Sequence, residues 1–140
     1  MKFSGIKTLG LPLVLCMSLF SACKHAVTAT DLYGKWSYTK VENPNLSPPQ
    51  SVPESEIKEQ APYIEFTSAD SLRMVWGGKL LSQGTFTVDG TNINYKELLP
   101  DGSTRSFPFY ISDFKSGSMV FETLGTDASR VTVVRALSGE

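Results

Sequence analysis

The sequence predicts an all-β domain, an up-and-down antiparallel β-barrel of about eight strands, formed by residues 31–140. Two observations predict this fold class. Turn-forming residues recur roughly every 12 residues, a spacing typical of an all-β barrel or sandwich. Between the turns, apolar residues alternate with polar ones, as in strands that bury one face. Closure into a barrel is favoured because it removes the unpaired strand edges that promote aggregation.

The turns are marked by glycine, proline and aspartate, whose backbone preferences suit tight reversals of the chain. They occur at Gly77-Gly78, Asp89-Gly90, Pro100-Asp101-Gly102, Ser116-Gly117 and Gly125 with Asp127. Gly-Gly and Asp-Gly between alternating segments are strong signals for two-residue hairpins. We therefore expect short hairpins to join most of the strands.

One connection is longer than the others and extends from Asn43 to Ala61. Its prolines exclude a regular element from its first half, because proline donates no backbone hydrogen bond. The segment Glu54–Gln60 predicts one or two helical turns, with Ser51 or Ser55 near their start. A loop of this length is either a solvated insertion or a functional segment such as a lid.

Large side chains occupy the face that the alternation predicts to be inward. These side chains are Trp36, Tyr38, Phe66, Met74, Trp76, Phe86, Tyr95, Phe107, Phe109 and Phe121. A barrel of this size is wide enough either to be filled by its side chains or to hold one small ligand. The candidate wall residues of a ligand site are Trp76, Tyr95, Phe107 and Phe109. Aromatic residues equally form cores, so both interpretations stay open.

The first 22 residues have the three parts of a secretory signal. Lys2 and Lys7 are their charged residues, an apolar run covers residues 9–20, and small residues follow. The run is shorter than the ~20 residues that a membrane-spanning helix needs. Residues 1–22 are therefore predicted to be a signal peptide that is removed on export.

The end of this signal, Leu19-Phe20-Ser21-Ala22-Cys23, resembles the lipobox of bacterial lipoproteins. The resemblance implies that Cys23 becomes the first mature residue and carries a diacylglycerol thioether and an amide-linked acyl chain such as palmitate. Several acyl chains hold a protein on a bilayer stably, so the lipid bilayer is the first expected partner. Residues 23–30 are then a lipidated tether. The alternative is ordinary signal cleavage, which leaves Cys23 as a free thiol.

The residues after Cys23 indicate where the chain is exported. The tether begins Lys24-His25-Ala26-Val27 and lacks the acidic cluster that such lipoproteins often carry when they are sent to the cell surface. The resemblance therefore implies an outer-membrane anchor that faces the periplasm. Cys16 lies inside the signal, so the exported domain has no disulfide and must be held by its own core.

The composition excludes several classes of function. The net charge is −1, without a basic patch, so nucleic-acid binding is disfavoured. The single histidine, His25, lies in the tether, so nucleophilic triads and zinc sites lack their usual residues in the domain. Glu65, Glu97 and Glu122 lie on separate strand segments, where we expect solvent-facing carboxylates. These features predict neither an enzyme nor a site for a metal or another cofactor.

The sequence Gly34-x-Trp36 at the start of the first strand resembles the motif of lipocalins and related calycins. In that family the tryptophan closes the base of the barrel and packs against an arginine from the last strand. The resemblance implies this role for Trp36, with Arg135 as its partner or Arg130 as the alternative. The chain is similar to the small lipocalin-like lipoproteins of Bacteroidetes-type bacteria. The competing interpretation makes Trp36 a core residue of a β-sandwich.

Two hypotheses of function follow. The first is a membrane-tethered lipocalin-like binding protein for a small apolar or amphipathic ligand, a function that the resemblance implies. The second is an envelope protein that binds or inhibits another protein, with a filled barrel and no small ligand. An apolar surface patch favours the second hypothesis, and an internal cavity favours the first.

Overall fold

The computed structural model describes residues 26–137 and shows a closed antiparallel barrel of eight strands. The predicted fold class is therefore confirmed. Wall strands follow one another in chain order, and two short strands pair at the margin of the wall. The helices are α1 (Ala29–Leu32) and α2 (Glu54–Gln60). The strands are β1 (Gly34–Asn43), β2 (Gln50–Ser51), β3 (Tyr63–Phe66), β4 (Ser71–Trp76), β5 (Lys79–Asp89), β6 (Asn92–Leu98), β7 (Thr104–Ser106), β8 (Phe109–Lys115), β9 (Ser118–Thr123) and β10 (Arg130–Arg135).

The barrel closes through antiparallel pairing of its first strand with its last. Trp36 of β1 pairs with Arg135 of β10, and β1 pairs with β3 on its other side. The short β2 pairs with the end of β1, and β7 pairs with β6. β7 and β8 are separated at Phe107 and Pro108, because proline has no N–H for a ladder.

Side chains that alternate along the strands fill the interior of the barrel. Those exposed by 5% or less are Val27, Leu32, Trp36, Ile64, Phe66, Leu72, Phe86, Ile93, Tyr95, Phe109, Ile111, Met119, Phe121, Val131 and Val133. The ring centres of Phe66 and Phe86 are 5.1 Å apart, and those of Phe109 and Phe121 are 5.3 Å apart. Ring pairs at such distances are in favourable edge-on or tilted contact. Packed aromatic and aliphatic side chains thus occupy the space that the wall encloses.

Successive connections between the strands lie at alternate ends of the barrel. The N-terminal end carries α1 and the turns at residues 67–70, 90–91 and 116–117. The distal end carries the connections at residues 44–62, 77–78, 99–103 and 124–129. The Gly77-Gly78 turn has φ values of +58° and +77°, as the predicted two-residue hairpin requires.

The folded domain begins before residue 31, the predicted boundary. Val27 is 5% exposed and packs in the core. Thr28 and Asp31 exchange hydrogen bonds that cap α1, an arrangement that satisfies donors at the start of a helix. Residues 27–30, which the sequence assigns to the tether, are therefore part of the domain. A single apolar residue before a short helix has no periodicity that could reveal this.

The predicted signal peptide and the lipidation site Cys23 lie outside the described residues, as does His25. Export and lipid anchoring therefore stay predictions. Between residues 26 and 137, neither helix has the length and apolar character that crossing a bilayer requires.

The long connection contains two short elements. The helix α2 has the bounds that the sequence predicts, Glu54–Gln60. Pro53 precedes it and Ser55 is its second residue, whereas Ser51 belongs to β2, where it pairs with Glu42. Ile57 is 5% exposed, and α2 contacts β1. The helix thus packs against the barrel and is not a free insertion.

Candidate functional site

Trp36 lies at the N-terminal end of the barrel, next to α1. Its side chain is fully buried, and its Nε1 donates a hydrogen bond of 2.8 Å to the carbonyl oxygen of Leu32. The guanidinium of Arg135 lies 4.3 Å from the centre of an indole ring face, a favourable cation–π distance. Arg135 also donates hydrogen bonds of 2.7 Å to the carbonyl oxygens of Tyr33 and Asp31. These contacts tie the last strand to the start of the first.

Gly34 leaves the space that this arginine needs. Its φ of +123° lies in the region that favours glycine, and a Cβ there would stand 3.1 Å from Nη1 of Arg135. Arg130, the alternative partner, instead binds Glu122 at 3.1 Å. Gly34, Trp36 and Arg135 therefore come together, and their contacts close one end of the barrel.

The four predicted wall residues belong to one chain of ring contacts, in which Phe121 links Tyr38 to Phe109. Tyr95 packs edge-on against Phe107 and Phe109, with ring centres 6.5 Å apart in each pair. Trp76 instead packs against Tyr38, with ring centres 6.3 Å apart. Burial raises the pKa of the Tyr38 hydroxyl, which therefore stays neutral. The rings contact one another and so contribute to the packed interior.

A polar cluster covers these rings at the distal end. The Tyr95 hydroxyl and the Ser82 Oγ are hydrogen-bonded at 2.7 Å, and Ser82 donates a second bond of 2.9 Å to Glu97 Oε1. Arg105 donates a bond of 3.0 Å from its Nε to Glu97 Oε2. Burial raises the pKa of Tyr95, so its hydroxyl remains protonated as the cluster requires. Each side chain in the cluster has a partner there, which allows polar groups to lie against an apolar core.

A groove with both apolar and polar lining opens at the distal end, between β5 and the β6–β7 hairpin. We call it the leucine groove. Its volume is about 420 Å³, and its lining residues are Leu80, Leu81, Ser82, Gln83, Glu97, Leu98, Leu99, Pro100 and Gly102. Leu80, Leu81 and Leu98 are exposed by 49%, 63% and 46%. The leucines and Pro100 are its apolar groups, and Ser82, Gln83 and Glu97 are its polar side chains. Ligand sites typically combine apolar surface with a few polar groups.

The groove exists because β5 and β6 separate beyond Gly84. The last paired residues of these strands are Gly84 and Glu97, whereas β5 extends further to Lys79. At Gly84 the two backbones lie so close together that a Cβ on this residue would stand 2.0 Å from the carbonyl oxygen of Lys96. Glycine inside a strand is typical of such close backbone approaches.

Sequence alternation does not predict the leucine groove. Leu80-Leu81 and Leu98-Leu99 are adjacent pairs, and adjacent residues of a strand point to opposite faces of the sheet. At least one leucine of each pair must then lie on the outer face. Doubled leucines at the ends of two strands that lie at the same end of a barrel are the signal that identifies this surface.

A second groove adjoins the first and shares Leu98 with it. Its volume is about 340 Å³, and it is lined in part by Arg73 and Lys96. Arg73 binds Glu65 at 3.0 Å. Within residues 26–137, Lys96 makes no ion pair, and Lys79 at the start of β5 makes none either. Lys96 therefore lines the second groove, and Lys79 directly precedes Leu80 at the start of β5.

The strand carboxylates do not face one another. Glu65, Glu97 and Glu122 each bind an arginine of a neighbouring strand. In the part of the chain that the structure describes, histidine, cysteine and carboxylate side chains form no group of three or more that could hold a metal ion.

Comparison with known proteins adds no relative to this geometry. No protein-family model matches the sequence, and no curated protein sequence matches it either. The inference of function therefore rests on the barrel and on the surface of its distal end.

Proposed function

We propose that this chain is a lipid-anchored, lipocalin-like binding protein of the bacterial envelope, which binds an apolar or amphipathic ligand in the leucine groove. The observation that carries the proposal is the exposure of Leu80, Leu81 and Leu98 in one groove of ligand-site volume. Full burial of one leucine contributes roughly 1.5–3 kcal/mol, so a ligand that covers several of them gains substantial binding free energy. The function proposed is binding and not catalysis.

The packing of the interior favours this surface site over the interior site that the lipocalin resemblance implies. Tyr95 and Phe109 are exposed by 1% and 2%. A small molecule could enter only if such rings left the core, and loss of one buried aromatic side chain costs about 3–5 kcal/mol. The proposal therefore keeps the ligand class of the first hypothesis from the sequence and takes the filled barrel from the second.

The position of the groove fits an anchor at the opposite end. Val27 is packed in the core at the N-terminal end, a few residues after Cys23. A lipid on Cys23 would hold that end against the bilayer, and the leucine groove would face away from it. On an outer membrane with the anchor in its inner leaflet, the groove would face the periplasm.

Replacement of both Leu81 and Leu98 by glutamate is expected to weaken binding of the apolar anionic probe 1-anilinonaphthalene-8-sulfonate by about tenfold or more. Each change removes contact area worth roughly 1 kcal/mol and adds a charge that repels the probe. Affinity is measured by fluorescence titration in a Cys23→Ser background, in which no detergent is needed.

Leu124→Glu in the same background is the matched control. Leu124 is 60% exposed but lies in the connection between β9 and β10, outside the leucine groove. Its affinity for the probe should change by about twofold at most. Unchanged affinity in the double variant, or an equal loss in the control, would contradict the proposed site.

Cys23→Ala is expected to abolish incorporation of labelled palmitate. The reason is that the thioether to diacylglycerol requires the sulfur, and acylation of the amino group follows it. Cys16→Ala is the control and should leave labelling intact, because Cys16 lies within the signal. Labelling that persists in Cys23→Ala would refute the anchor.

A further inference from the structure

We propose that the leucine groove binds an extended, acidic peptide segment of another protein, which pairs with β5 as an added strand. This inference rests on the proposed function and names the class of ligand that the groove takes. Three features of the described chain support it: a free strand edge, two exposed leucines on that edge, and two nearby lysines that make no ion pair within residues 26–137.

β5 has a free edge at the distal end of the barrel. Its ladder with β6 ends at Gly84 and Glu97, whereas its ladder with β4 continues to Lys79. The stretch Lys79–Gln83 is therefore paired on one side only, with a bulge at Leu81, which has no partner in β4. Backbone N–H and C=O groups on the other side are available to a further strand.

The leucine groove lies along this free edge. One of its walls is formed by Leu80–Gln83 of β5, and the other by residues 97–102 of the β6–β7 hairpin. A strand in the groove would meet the main chain of β5 and the leucines of both walls at once. Main-chain hydrogen bonds then supply affinity and the apolar walls supply selectivity, as in other cases of strand addition.

A second free edge at the same end provides a contrast. β7 pairs with β6 on one side, and its residues Thr104, Arg105 and Ser106 are polar and exposed. Polar and charged edges of this kind discourage pairing with other strands. The free edge of β5 also has polar residues, but it carries the adjacent exposed side chains of Leu80 and Leu81. Of the two edges, that of β5 is the one whose composition favours a bound strand.

The charges around the groove favour an acidic peptide over a second copy of this chain. Lys79 and Lys96 make no ion pair within residues 26–137, whereas Glu97 is bound by Arg105. Two copies joined at this edge would bring their lysines together, which is unfavourable across paired strands. Glutamate or aspartate in a peptide would be attracted. Apolar residues at alternate positions would contact the leucines, because alternate residues of a strand share a face.

The test uses short synthetic peptides in which valine alternates with glutamate, titrated into the Cys23→Ser chain. The unmodified peptide should displace the anilinonaphthalene probe. Two further peptides are N-methylated, one at the odd-numbered residues and the other at the even-numbered residues. Each keeps every side chain but loses the N–H donors along one edge of the strand. At least one isomer should bind about tenfold more weakly, because a ladder with β5 uses the donors of one row.

A charge exchange tests the role of the lysines. Lys79→Glu combined with Lys96→Glu should weaken the glutamate peptide and strengthen a matched peptide in which lysine alternates with valine. Lys115→Glu at the N-terminal end is the control and should change neither affinity. If the double variant binds the glutamate peptide more weakly but does not bind the lysine peptide more tightly, the assignment of an acidic partner is overturned.

The remaining outcomes separate this inference from the proposed function. Equal affinity of both N-methylated isomers and the unmodified peptide would overturn strand pairing. Probe binding that no peptide displaces would overturn the peptide ligand and leave a site for small amphiphiles. If the chain associates with itself and Leu81→Glu abolishes that association, the groove binds a second copy of this chain and the peptide proposal is overturned. Absence of probe binding in the groove would instead contradict the proposed function itself.

Discussion

Replacement of Trp36 by alanine is expected to lower the free energy of unfolding by about 3–5 kcal/mol. The indole is fully buried, so its removal loses contact area and leaves a cavity at the N-terminal end of the barrel. The carbonyl oxygen of Leu32 loses the donor that lies 2.8 Å away, and the guanidinium of Arg135 loses the ring beneath it. Because whole domains are stabilised by about 5–15 kcal/mol, the loss should be plain in urea denaturation followed by circular dichroism.

Trp76→Ala is the matched control, because Trp76 is the same type of residue but is only partly buried. Its loss should be less than half that of Trp36→Ala. A double-mutant cycle should give a coupling of about 1 kcal/mol between Trp36 and Arg135. The coupling of Trp36 with Arg130 should be close to zero, because Arg130 binds Glu122 instead. Equal losses for the two tryptophans, or equal couplings for the two arginines, would contradict the closing role of Trp36.

The features of the fold that follow from local chain geometry could be predicted from the sequence. Alternation placed Phe86 and Tyr95 on the inner face, and the structure pairs them across β5 and β6. The Gly77-Gly78 hairpin and the helix Glu54–Gln60 also lie where the sequence predicts them. Each of these depends on residues close together in the chain, so a periodic pattern or a turn motif is sufficient.

Features that depend on contacts between distant segments could not be predicted in the same way. Whether a barrel is hollow or filled depends on how side chains from all of its strands pack, and alternation gives only their direction. The contact of Val27 with the core is likewise tertiary. The leucine groove requires β5 and β6 to separate, and their pairing ends at Gly84 and Glu97. Nothing in the pattern of either strand alone specifies where that pairing ends.

Gly84→Ala is expected to lower the free energy of unfolding by about 3 kcal/mol, because the added methyl group has no space. Its Cβ would stand 2.0 Å from the carbonyl oxygen of Lys96 and 2.9 Å from Cε2 of Tyr95. The first of these atoms belongs to the backbone and cannot rotate away, so β5 and β6 must move apart. Urea denaturation measures the loss, and hydrogen exchange of the β6 amides locates it.

Gly90→Ala separates this crowding from the general effect of replacing glycine. Gly90 has a φ of +63°, at which alanine is strained by about 1–2 kcal/mol, but nothing lies within 4 Å of its added Cβ. Gly84 is not among the residues with positive φ, so the expected loss at Gly84 comes from crowding. A larger loss for Gly90→Ala would show that the strands move apart easily. Since the leucine groove begins where β5 and β6 separate, Gly84→Ala should also weaken probe binding, whereas Gly90→Ala should leave it unchanged.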